Sequence, residues 1–304
     1  MRALCTGADG FLGANLCARL VADGHEVTGA ALNRKGHTSL DALGVDVRVE
    51  YGDITDRAYV ERLVNASECD VVFHLAAVSI VRVAERDVRR AIHTNVMGTV
   101  NVCEAARGCT VVVASSDKAY GDYGATAYAE HLPLRPTGAY EVSKACADLV
   151  AQLYGREGRV IVTRCANLYG PGDLNWSRLV PNSCRRAARG LPPEVHPSAW
   201  EYEREWVYVD DAVEAYLALA QYGTAGPYNI GSGQCLTAGS VASYIADLAG
   251  VDAPVASGVR IGYEIPAQRL DAGKLLRDTG YMPQTLLGVG LARTYDWYRG
   301  YVCA

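Results

Sequence analysis

Short apolar runs alternate with segments of helical period over roughly the first 165 residues. Residues 110–114 follow the pattern of a buried strand, whereas 11–21 places Leu12, Leu16 and Leu20 on one helical face. The predicted strands are 2–6, 26–32, 45–49, 71–75, 110–114 and 160–164, and the predicted helices are 11–21, 80–107 and 140–154. This alternation favours a parallel sheet covered on both faces, the doubly wound α/β class.

The pattern loosens after residue 166, where glycine and proline become frequent. Segment 191–200 carries several prolines and is predicted to be a loop or an edge segment. The predicted helices of this half are 178–189, 210–220, 238–249 and 288–299, and short strands are predicted near 228–230 and 259–261. We therefore expect two lobes, a dinucleotide-binding lobe over 1–166 and a substrate lobe over 167–304, with part of 205–235 packing on the first lobe.

Composition narrows the function classes. The net charge of −5 argues against a nucleic-acid surface, and the run of Arg82, Arg86, Arg89 and Arg90 is interpreted as a solvated helix face. No apolar run approaches the roughly 20 residues of a membrane span. Residues 1–7 are predicted to form a strand and turn rather than a signal peptide, so a cytoplasmic enzyme is expected. The ten cysteines include no Cys-x-x-Cys pair, which predicts reduced thiols and no metal site.

A glycine-rich turn joins the first predicted strand to the first predicted helix. Its sequence is Gly7-Ala8-Asp9-Gly10-Phe11-Leu12-Gly13, with the spacing Gly-x-x-Gly-x-x-Gly. Such glycines permit a tight turn and let backbone amides approach a pyrophosphate at a helix N-terminus. The context between strand and helix predicts a dinucleotide site that includes Gly7, Gly10, Phe11, Leu12 and Gly13.

The residues after the second and third predicted strands bear on which dinucleotide binds. No acidic residue follows the second strand; Asn33 is placed to hydrogen-bond a ribose hydroxyl, and Arg34 to meet a 2′-phosphate or to remain a solvated loop cation. Asp53 and Ile54 after the third strand suit an adenine contact, with a helix cap as the alternative for Asp53. We expect NAD rather than NADP.

The candidate catalytic residues lie in two short segments. Tyr140 and Lys144 are four residues apart in a predicted helix, so they share one face. An ammonium beside a phenol favours the phenolate, and we therefore expect Lys144 to lower the pKa of Tyr140. Ser116, Asp117 and Lys118 add a hydroxyl, a carboxylate and an amine after the fifth predicted strand. This exceeds the acid/base equipment that a simple alcohol oxidation needs.

Several motifs in combination resemble one family. Beside the glycine turn and the Tyr140/Lys144 pair, they are Phe73-His74-Leu75-Ala76-Ala77, Thr94-Asn95-Val96-Met97-Gly98-Thr99 and Arg164-x-x-Asn167-x-Tyr169-Gly170. Together they look like the extended short-chain dehydrogenases/reductases, the NAD-dependent epimerase/dehydratase family, which act on nucleotide-linked sugars. Within this family, Ser116-Asp117-Lys118 and segments 27–33 and 172–181 most resemble the CDP-glucose 4,6-dehydratase branch.

The resemblance implies a Rossmann fold with a smaller C-terminal substrate-binding lobe, an NAD cofactor and a homodimer. It also implies the reaction: transient oxidation at C4, loss of water across C5–C6, and return of hydride to C6. Tyr140 is then expected to take the C4 hydroxyl proton, Ser116 to bind the C4 oxygen, and Lys144 to hold the nicotinamide ribose. Asp117 is the expected C6 acid and Lys118, as a neutral amine, the expected C5 base, although these two roles are exchangeable.

The other expected contacts come from the same resemblance. Cofactor contacts are expected from Leu75, Ala76, Ala77 and Asn95. The diphosphate of a nucleotide hexose is expected to meet Asn167 and a set of guanidinium groups, which present paired donors to phosphate oxygens. The candidate arginines are Arg178, Arg204 and Arg269.

Two other functions remain open at this point. A nucleotide-sugar 4-epimerase needs the same cofactor, Tyr140, Lys144 and a serine, but leaves Asp117 and Lys118 without a task. A cofactor-sensing binding module would keep the fold without chemistry, and such proteins often lose the tyrosine that this chain retains.

Overall fold

The computed structural model describes residues 1–34, 36–258 and 265–303, and within them seven strands form one parallel sheet. The sheet order is β11-β7-β5-β4-β1-β2-β3. All strands, in chain order β1 to β14, are Arg2–Thr6, Glu26–Ala31, Arg48–Tyr51, Val71–His74, Thr110–Ala114, Ala127–Tyr128, Val160–Cys165, Asn167–Tyr169, Glu194–Val195, Glu203–Tyr208, Gly226–Ile230, Cys235–Thr237, Val255–Ala256 and Ala267–Leu270.

Helices cover both faces of this sheet. The helices α1 to α12 are Phe11–Ala22, Ser39–Leu43, Arg57–Ser67, Val81–Arg86, Val88–Ile92, Gly98–Ala105, Ala139–Tyr154, Leu179–Ala187, Val209–Tyr222, Ala238–Ala249, Gly273–Thr279 and Leu287–Cys303. Helices α1 and α9 pack on one face, and α3, α6 and α7 pack on the other. The predicted doubly wound Rossmann α/β class is therefore confirmed.

The third predicted strand is displaced along the chain. Pairing with β2 begins at Arg48 and β3 ends at Tyr51, rather than spanning 45–49. Val45, Val47 and Val49 do pack against the core. The alternation of apolar residues therefore predicted correctly which side chains are buried. It did not predict the residue at which hydrogen bonding to β2 begins.

The single helix predicted over 80–107 is wrong, because the segment is broken into four pieces. The Asp87 side chain accepts a hydrogen bond from the backbone N–H of Arg90 at 2.9 Å and so starts a new helix. A π-helical turn over His93–Met97 then separates α5 from α6. Such turns displace the register of a helix and are frequent at functional sites.

The second half of the chain forms a smaller sheet and also returns to the first one. Strand β11 pairs with β7 at the edge of the large sheet, with Tyr228 opposite Thr163. Strand β10 lies between β12 and β14 and also pairs with β8. In the segment predicted as a loop or edge, β9 pairs with β13. The boundaries of the two predicted lobes stay a prediction, and the strand predicted at 259–261 lies outside the described residues.

A buried ion pair ties these elements together. Arg164 on β7 donates to both carboxylate oxygens of Asp148 on α7, at 2.8 and 3.0 Å, and both side chains are almost fully buried. Arg164 also donates to the hydroxyl of Tyr120 at 2.9 Å, and that hydroxyl donates to Asn229 on β11 at 2.8 Å. One network therefore fixes α7, β7, β11 and the turn before residue 121 to one another.

Tyrosines are unusually prominent in the interior. The largest fully buried side chains include Tyr120, Tyr128, Tyr169, Tyr216, Tyr228 and Tyr298. Each phenol has a hydrogen-bond partner; that of Tyr298, for example, donates to the carbonyl of Asp173 at 2.6 Å. A buried tyrosine thus adds a directional tether to the packing of an aromatic ring.

Two properties of residues 1–34, 36–258 and 265–303 bear on function. No helix there has both the length and the apolar character needed to cross a membrane. The same residues contain no group of three or more histidine, cysteine, aspartate or glutamate side chains arranged to hold a metal ion.

We expect Asp148→Asn to lower the free energy of unfolding by about 3–5 kcal/mol, because it leaves the buried Arg164 guanidinium without its counter-ion. Urea unfolding of the two proteins measures the difference. The matched control is Asp296→Asn, which breaks a solvent-exposed pair with Arg299 and should change stability little. Equal losses in the two variants would contradict the role assigned to the buried pair.

Candidate active site

A cleft of about 1460 Å³ opens along the carboxyl ends of the strands of the large sheet. The chain enters it just after β1, β2, β3, β4, β5 and β7, which is where ligands bind in open α/β sheets. The predicted site residues that line it are Gly7, Gly10, Phe11, Leu12, Gly13, Asn33, Asp53, Ile54, Leu75, Ala76, Ala77, Ser116, Asp117, Lys118, Tyr140, Lys144, Asn167 and Arg178. Among the described residues, Arg34, Asn95, Arg204 and Arg269 are predicted site residues that do not line it.

The glycine turn is shaped for a close approach of backbone to ligand. Gly7 has a φ of 72°, and a Cβ there would lie 2.8 Å from the backbone nitrogen of Ala76. A Cβ on Gly13 would collide with the carbonyl oxygen of Gly7. Only glycine fits both places, and Gly10, Phe11 and Gly13 at the N-terminus of α1 line the cleft. This cradle fits the pyrophosphate of a dinucleotide.

The residues predicted to contact the ribose and adenine differ in their position relative to the cleft. Asn33 lines the cleft, whereas Arg34 is exposed and lies outside its lining among the described residues. This arrangement favours a ribose hydroxyl over a 2′-phosphate. Asp53 lines the cleft and accepts a hydrogen bond from the Thr55 N–H at 2.8 Å. The helix-cap alternative for Asp53 is wrong, because Asp56 caps α3.

Asn95 has a different place from the one predicted. It lies in the π-helical turn, is 2% exposed, and bonds to both backbone groups of Val78 at 2.7 and 3.2 Å. Its amide also donates to the hydroxyl of Ser143 on α7 at 2.8 Å. Asn95 therefore joins the loop after β4 to the helix that carries Tyr140 and Lys144, and is not part of the cleft wall.

Tyr140 and Lys144 share the buried face of α7, as predicted, but the predicted pKa effect is wrong for the protein alone. Burial raises the pKa of Tyr140 to about 12, against a hydrogen bond with Ser116 that lowers it. Burial also lowers the pKa of Lys144 to about 8, while the charge of Asp148 opposes this shift. The Lys144 amine donates to the carbonyl of Ala114 at 2.8 Å. Loss of water on burial is the largest cause of both pKa shifts.

The Ser116-Asp117-Lys118 segment forms a tight turn at the end of β5. The Ser116 hydroxyl accepts from the Lys118 N–H at 3.2 Å and donates to the Asp117 carboxylate at 3.0 Å. Asp117 is 4% exposed, and burial raises its pKa against the opposing charges of Lys118 and Arg204. The direction is the one expected of a carboxyl group that must carry a proton.

Of the four residues predicted to contact the substrate, two line the cleft and two do not. Asn167 and Arg178 line the cleft, and Arg178 pairs with Asp173 at 2.9 Å. Arg204 is 6% exposed, donates to the carbonyl of Glu203 at 2.8 Å and acts on Asp117 through its charge.

The expectation for Arg269 is not met. On β14 alternate residues are buried, so Arg269 points outward and pairs with Glu203 at 3.0 Å. The neighbouring residue, Gln268, is the one that faces the turn of Ser116, Asp117 and Lys118, where its side-chain oxygen accepts from the Lys118 amine at 3.4 Å.

Comparison with known proteins gives the family. The model of the NAD dependent epimerase/dehydratase family matches residues 3–231. A dTDP-glucose 4,6-dehydratase of Streptomyces antibioticus is 34% identical over 98% of this chain and 92% of its own length. This chain belongs to the NAD-dependent epimerase/dehydratase family.

Solved structures of family members agree with this. The dTDP-glucose 4,6-dehydratase of Streptomyces venezuelae, solved with NAD, matches with a TM-score of 0.90 and 32% identity over 99% of this chain and 97% of that one. The UDP-glucose 4-epimerase of Thermotoga maritima, solved with UDP-glucose, matches with a TM-score of 0.90 and 27% identity over 99% of both chains. The predicted family and its cofactor NAD are confirmed, while both reaction types occur among the similar enzymes.

Sequence reasoning missed part of the cleft wall. Arg82, Arg89 and Arg90 are exposed as predicted, yet they line the cleft. Their position in the segment after β4 was the available signal, since segments at the carboxyl ends of parallel strands form the ligand site. Cys165 lines the cleft at the end of β7, where the same signal applies.

We expect Lys144→Met to make the protein without bound nucleotide more stable at pH 7, by about 3 kcal/mol, since one pKa unit corresponds to about 1.4 kcal/mol. The folded-state pKa of Lys144 is lowered from 10.5 to about 8, so below pH 8 the folded protein carries the full cost of a buried charge. Between pH 8 and 10.5 only the unfolded chain keeps the proton, and the advantage of the variant should shrink.

Urea unfolding at pH 7 and at pH 10 measures this. A destabilised variant at pH 7, or an advantage that does not change with pH, would contradict the burial of a charged amine.

Proposed function

We propose that this chain is an NAD-dependent nucleotide-sugar 4,6-dehydratase. The observation that supports this most directly is that Asp117 and Lys118 line the same cleft as Tyr140 and Lys144. Elimination of water requires a base at C5 and an acid at C6 in addition to the group that takes the C4 hydroxyl proton. An epimerisation at C4 would leave the extra carboxyl group and amine without a task.

The glycine turn, Asn33 and the cleft residues Leu75 to Ala77 are the groups proposed to hold NAD. Bound there, NAD would supply the hydride acceptor and donor and a positive charge near the Tyr140 phenol. The proposal assigns the proton transfers to the chain itself.

Tyr140 is proposed to take the proton of the C4 hydroxyl, and Ser116 to hydrogen-bond the C4 oxygen. Tyr140 is 9% exposed and Ser116 contacts it, which supports a role for both at one substrate atom. With a pKa near 12 in the protein alone, the phenol stays protonated until a cation is bound next to it. Lys144 is proposed to hold the nicotinamide ribose from the buried side.

Asp117 is proposed to protonate the departing C6 hydroxyl. Its burial and raised pKa favour the protonated form that a general acid needs, and the Ser116 hydroxyl orients its carboxyl group. Lys118, the next residue on the same turn, is proposed to remove the C5 proton. Because the two side chains belong to one tight turn, acid and base are fixed relative to each other before substrate binds.

For the substrate we propose a nucleotide diphosphate hexose whose diphosphate meets Asn167 and Arg178 in the cleft, with Arg204 behind Asp117. The Ser116-Asp117-Lys118 segment supports CDP-glucose as the first candidate. Relatives at about 30% identity carry the name dTDP-glucose 4,6-dehydratase, so dTDP-glucose is the second candidate.

We also propose a homodimer that pairs the helices around α5 and α7. Leu149 and Leu153 are each 57% exposed on α7, and Met97 is 43% exposed in the π-helical turn. Apolar groups presented by adjacent helices favour association. Light scattering should give twice the chain mass, and a monomeric mass at micromolar concentration would reject the dimer.

We expect the purified protein with NAD to convert one member of a panel of CDP-, dTDP-, UDP- and GDP-glucose to a 4-keto-6-deoxy product one water lighter, without net NADH. Mass spectrometry in D₂O also locates deuterium at C5. A product of unchanged mass and inverted C4 would replace the dehydratase by the epimerase, for which the similarity to the Thermotoga maritima enzyme is the supporting observation.

The variants follow from the assigned roles. Tyr140→Phe, Asp117→Asn and Lys118→Met should each lower turnover by about 10²–10⁴-fold, the usual worth of a placed acid or base. Lys118→Met should also abolish deuterium incorporation at C5. The control is Lys274→Met, since Lys274 donates to the Pro227 carbonyl away from the cleft and should not be needed for turnover. Normal turnover by Lys118→Met would rule out its role.

A further inference from the structure

We propose that Gln268 is a positioning residue that fixes the Lys118 amine relative to the backbone of the Ser116-Asp117-Lys118 turn, which we call the catalytic turn. The inference rests on the proposed function, because it concerns the residue assigned as the C5 base. It goes beyond that function in assigning a task to a strand of the second half of the chain, outside the segments that carry the catalytic groups.

The place of Gln268 is fixed by the second sheet. Strand β14 pairs with β10, where Gln268 lies opposite Arg204, and with β6, where Leu270 lies opposite Tyr128. The buried carboxylate of Glu205 accepts the Leu270 N–H at 2.7 Å. Gln268 is itself 1% exposed. The backbone that presents this side chain therefore has little freedom to move.

The side-chain amide of Gln268 contacts two neighbouring residues of the catalytic turn, Asp117 and Lys118. Its oxygen accepts from the Lys118 amine at 3.4 Å, and its nitrogen donates to the backbone carbonyl of Asp117 at 3.5 Å. Because the nitrogen bonds to a carbonyl, the amide oxygen must face the amine. One side chain thus sets the position of the amine relative to the backbone of the acid.

An amide suits this position better than a carboxylate. An amide oxygen accepts an N–H from an amine in either protonation state, so it orients Lys118 without adding a charge. Besides Asp117 itself, the titratable groups that act on the turn include Arg204, Glu205, Tyr128, Tyr140 and Cys165. A carboxylate at 268 would favour the ammonium form and oppose proton removal by Lys118.

The composition of the chain permits a direct test. The sequence contains four lysines, Lys35, Lys118, Lys144 and Lys274. Protein labelled with ¹³C at lysine Cε should give four resolvable NMR signals, and Lys118→Arg identifies the signal of interest. The signal is followed against pH in the full chain with NAD, for wild type, Gln268→Glu and Gln268→Met. Turnover of the preferred nucleotide hexose is measured in parallel.

In Gln268→Glu, which is nearly isosteric, the Lys118 signal should titrate about one pH unit higher, and the rate should recover as the pH is raised. In Gln268→Met, kcat should fall by up to about a hundredfold through misplacement, with KM little changed. The matched control is Gln234→Met, because Gln234 also makes two amide hydrogen bonds, to Thr285 and Leu287, outside the cleft.

An unmoved Lys118 signal in Gln268→Glu, together with losses in Gln268→Met no larger than those of Gln234→Met, would reduce Gln268 to a packing residue. The NMR titration does not depend on turnover. If wild type forms no deoxy product but Gln268→Glu still moves the Lys118 signal, the dehydratase proposal fails while the contact stands.

Discussion

The buried pair of Arg164 and Asp148 is the constraint on which the arrangement of the cleft depends. Asp148 belongs to the helix of Tyr140 and Lys144, and Arg164 to the strand that ends at the cleft. Through Tyr120 the pair reaches the turn of Asp117 and Lys118. A buried charge tolerates neither loss nor displacement of its partner, so three separate segments are held to one geometry.

The cleft itself is unfavourable for the groups that it contains. Lys144 is 5% exposed, Asp117 4% and Tyr140 9%, and in each the charged form is disfavoured by burial. A chain selected for stability alone would not place an amine, a carboxyl group and a phenol there. Their burial is consistent with a site that keeps its acids protonated and its amine ready to lose a proton until ligands change the local charge.

Much of the fold could be predicted because strand and helix periods differ and the glycine turn has its own signature. The cleft wall followed from the same pattern, since it lies where predicted strands end. Three details could not be read in this way. The capping of α5 by Asp87 depends on a local hydrogen bond within an apolar stretch, and Asn95 points inward because of a π-helical turn. The pKa of Tyr140 depends on burial, which sequence spacing does not report.

Arg269 was predicted to be a site residue, but its neighbour Gln268 is the one that faces the site. The two are neighbours on β14, and a shift of one residue in a strand moves a side chain to the opposite face. The guanidinium group of Arg269 made it a candidate ligand for phosphate. Successive side chains of a strand point to opposite faces, however, and this decides which of the two reaches the site.

The tyrosine-rich interior has a consequence for the range of conditions in which this architecture persists. Burial raises the pKa of Tyr120, Tyr169, Tyr216 and Tyr298, so their phenols stay neutral in the folded chain at pH values that ionise them in the unfolded one. Stability from this source declines as the pH rises above about 10. Phenylalanine side chains do not ionise, so they would not make stability depend on pH in this way. The buried phenols therefore limit the alkaline range in which the fold is stable.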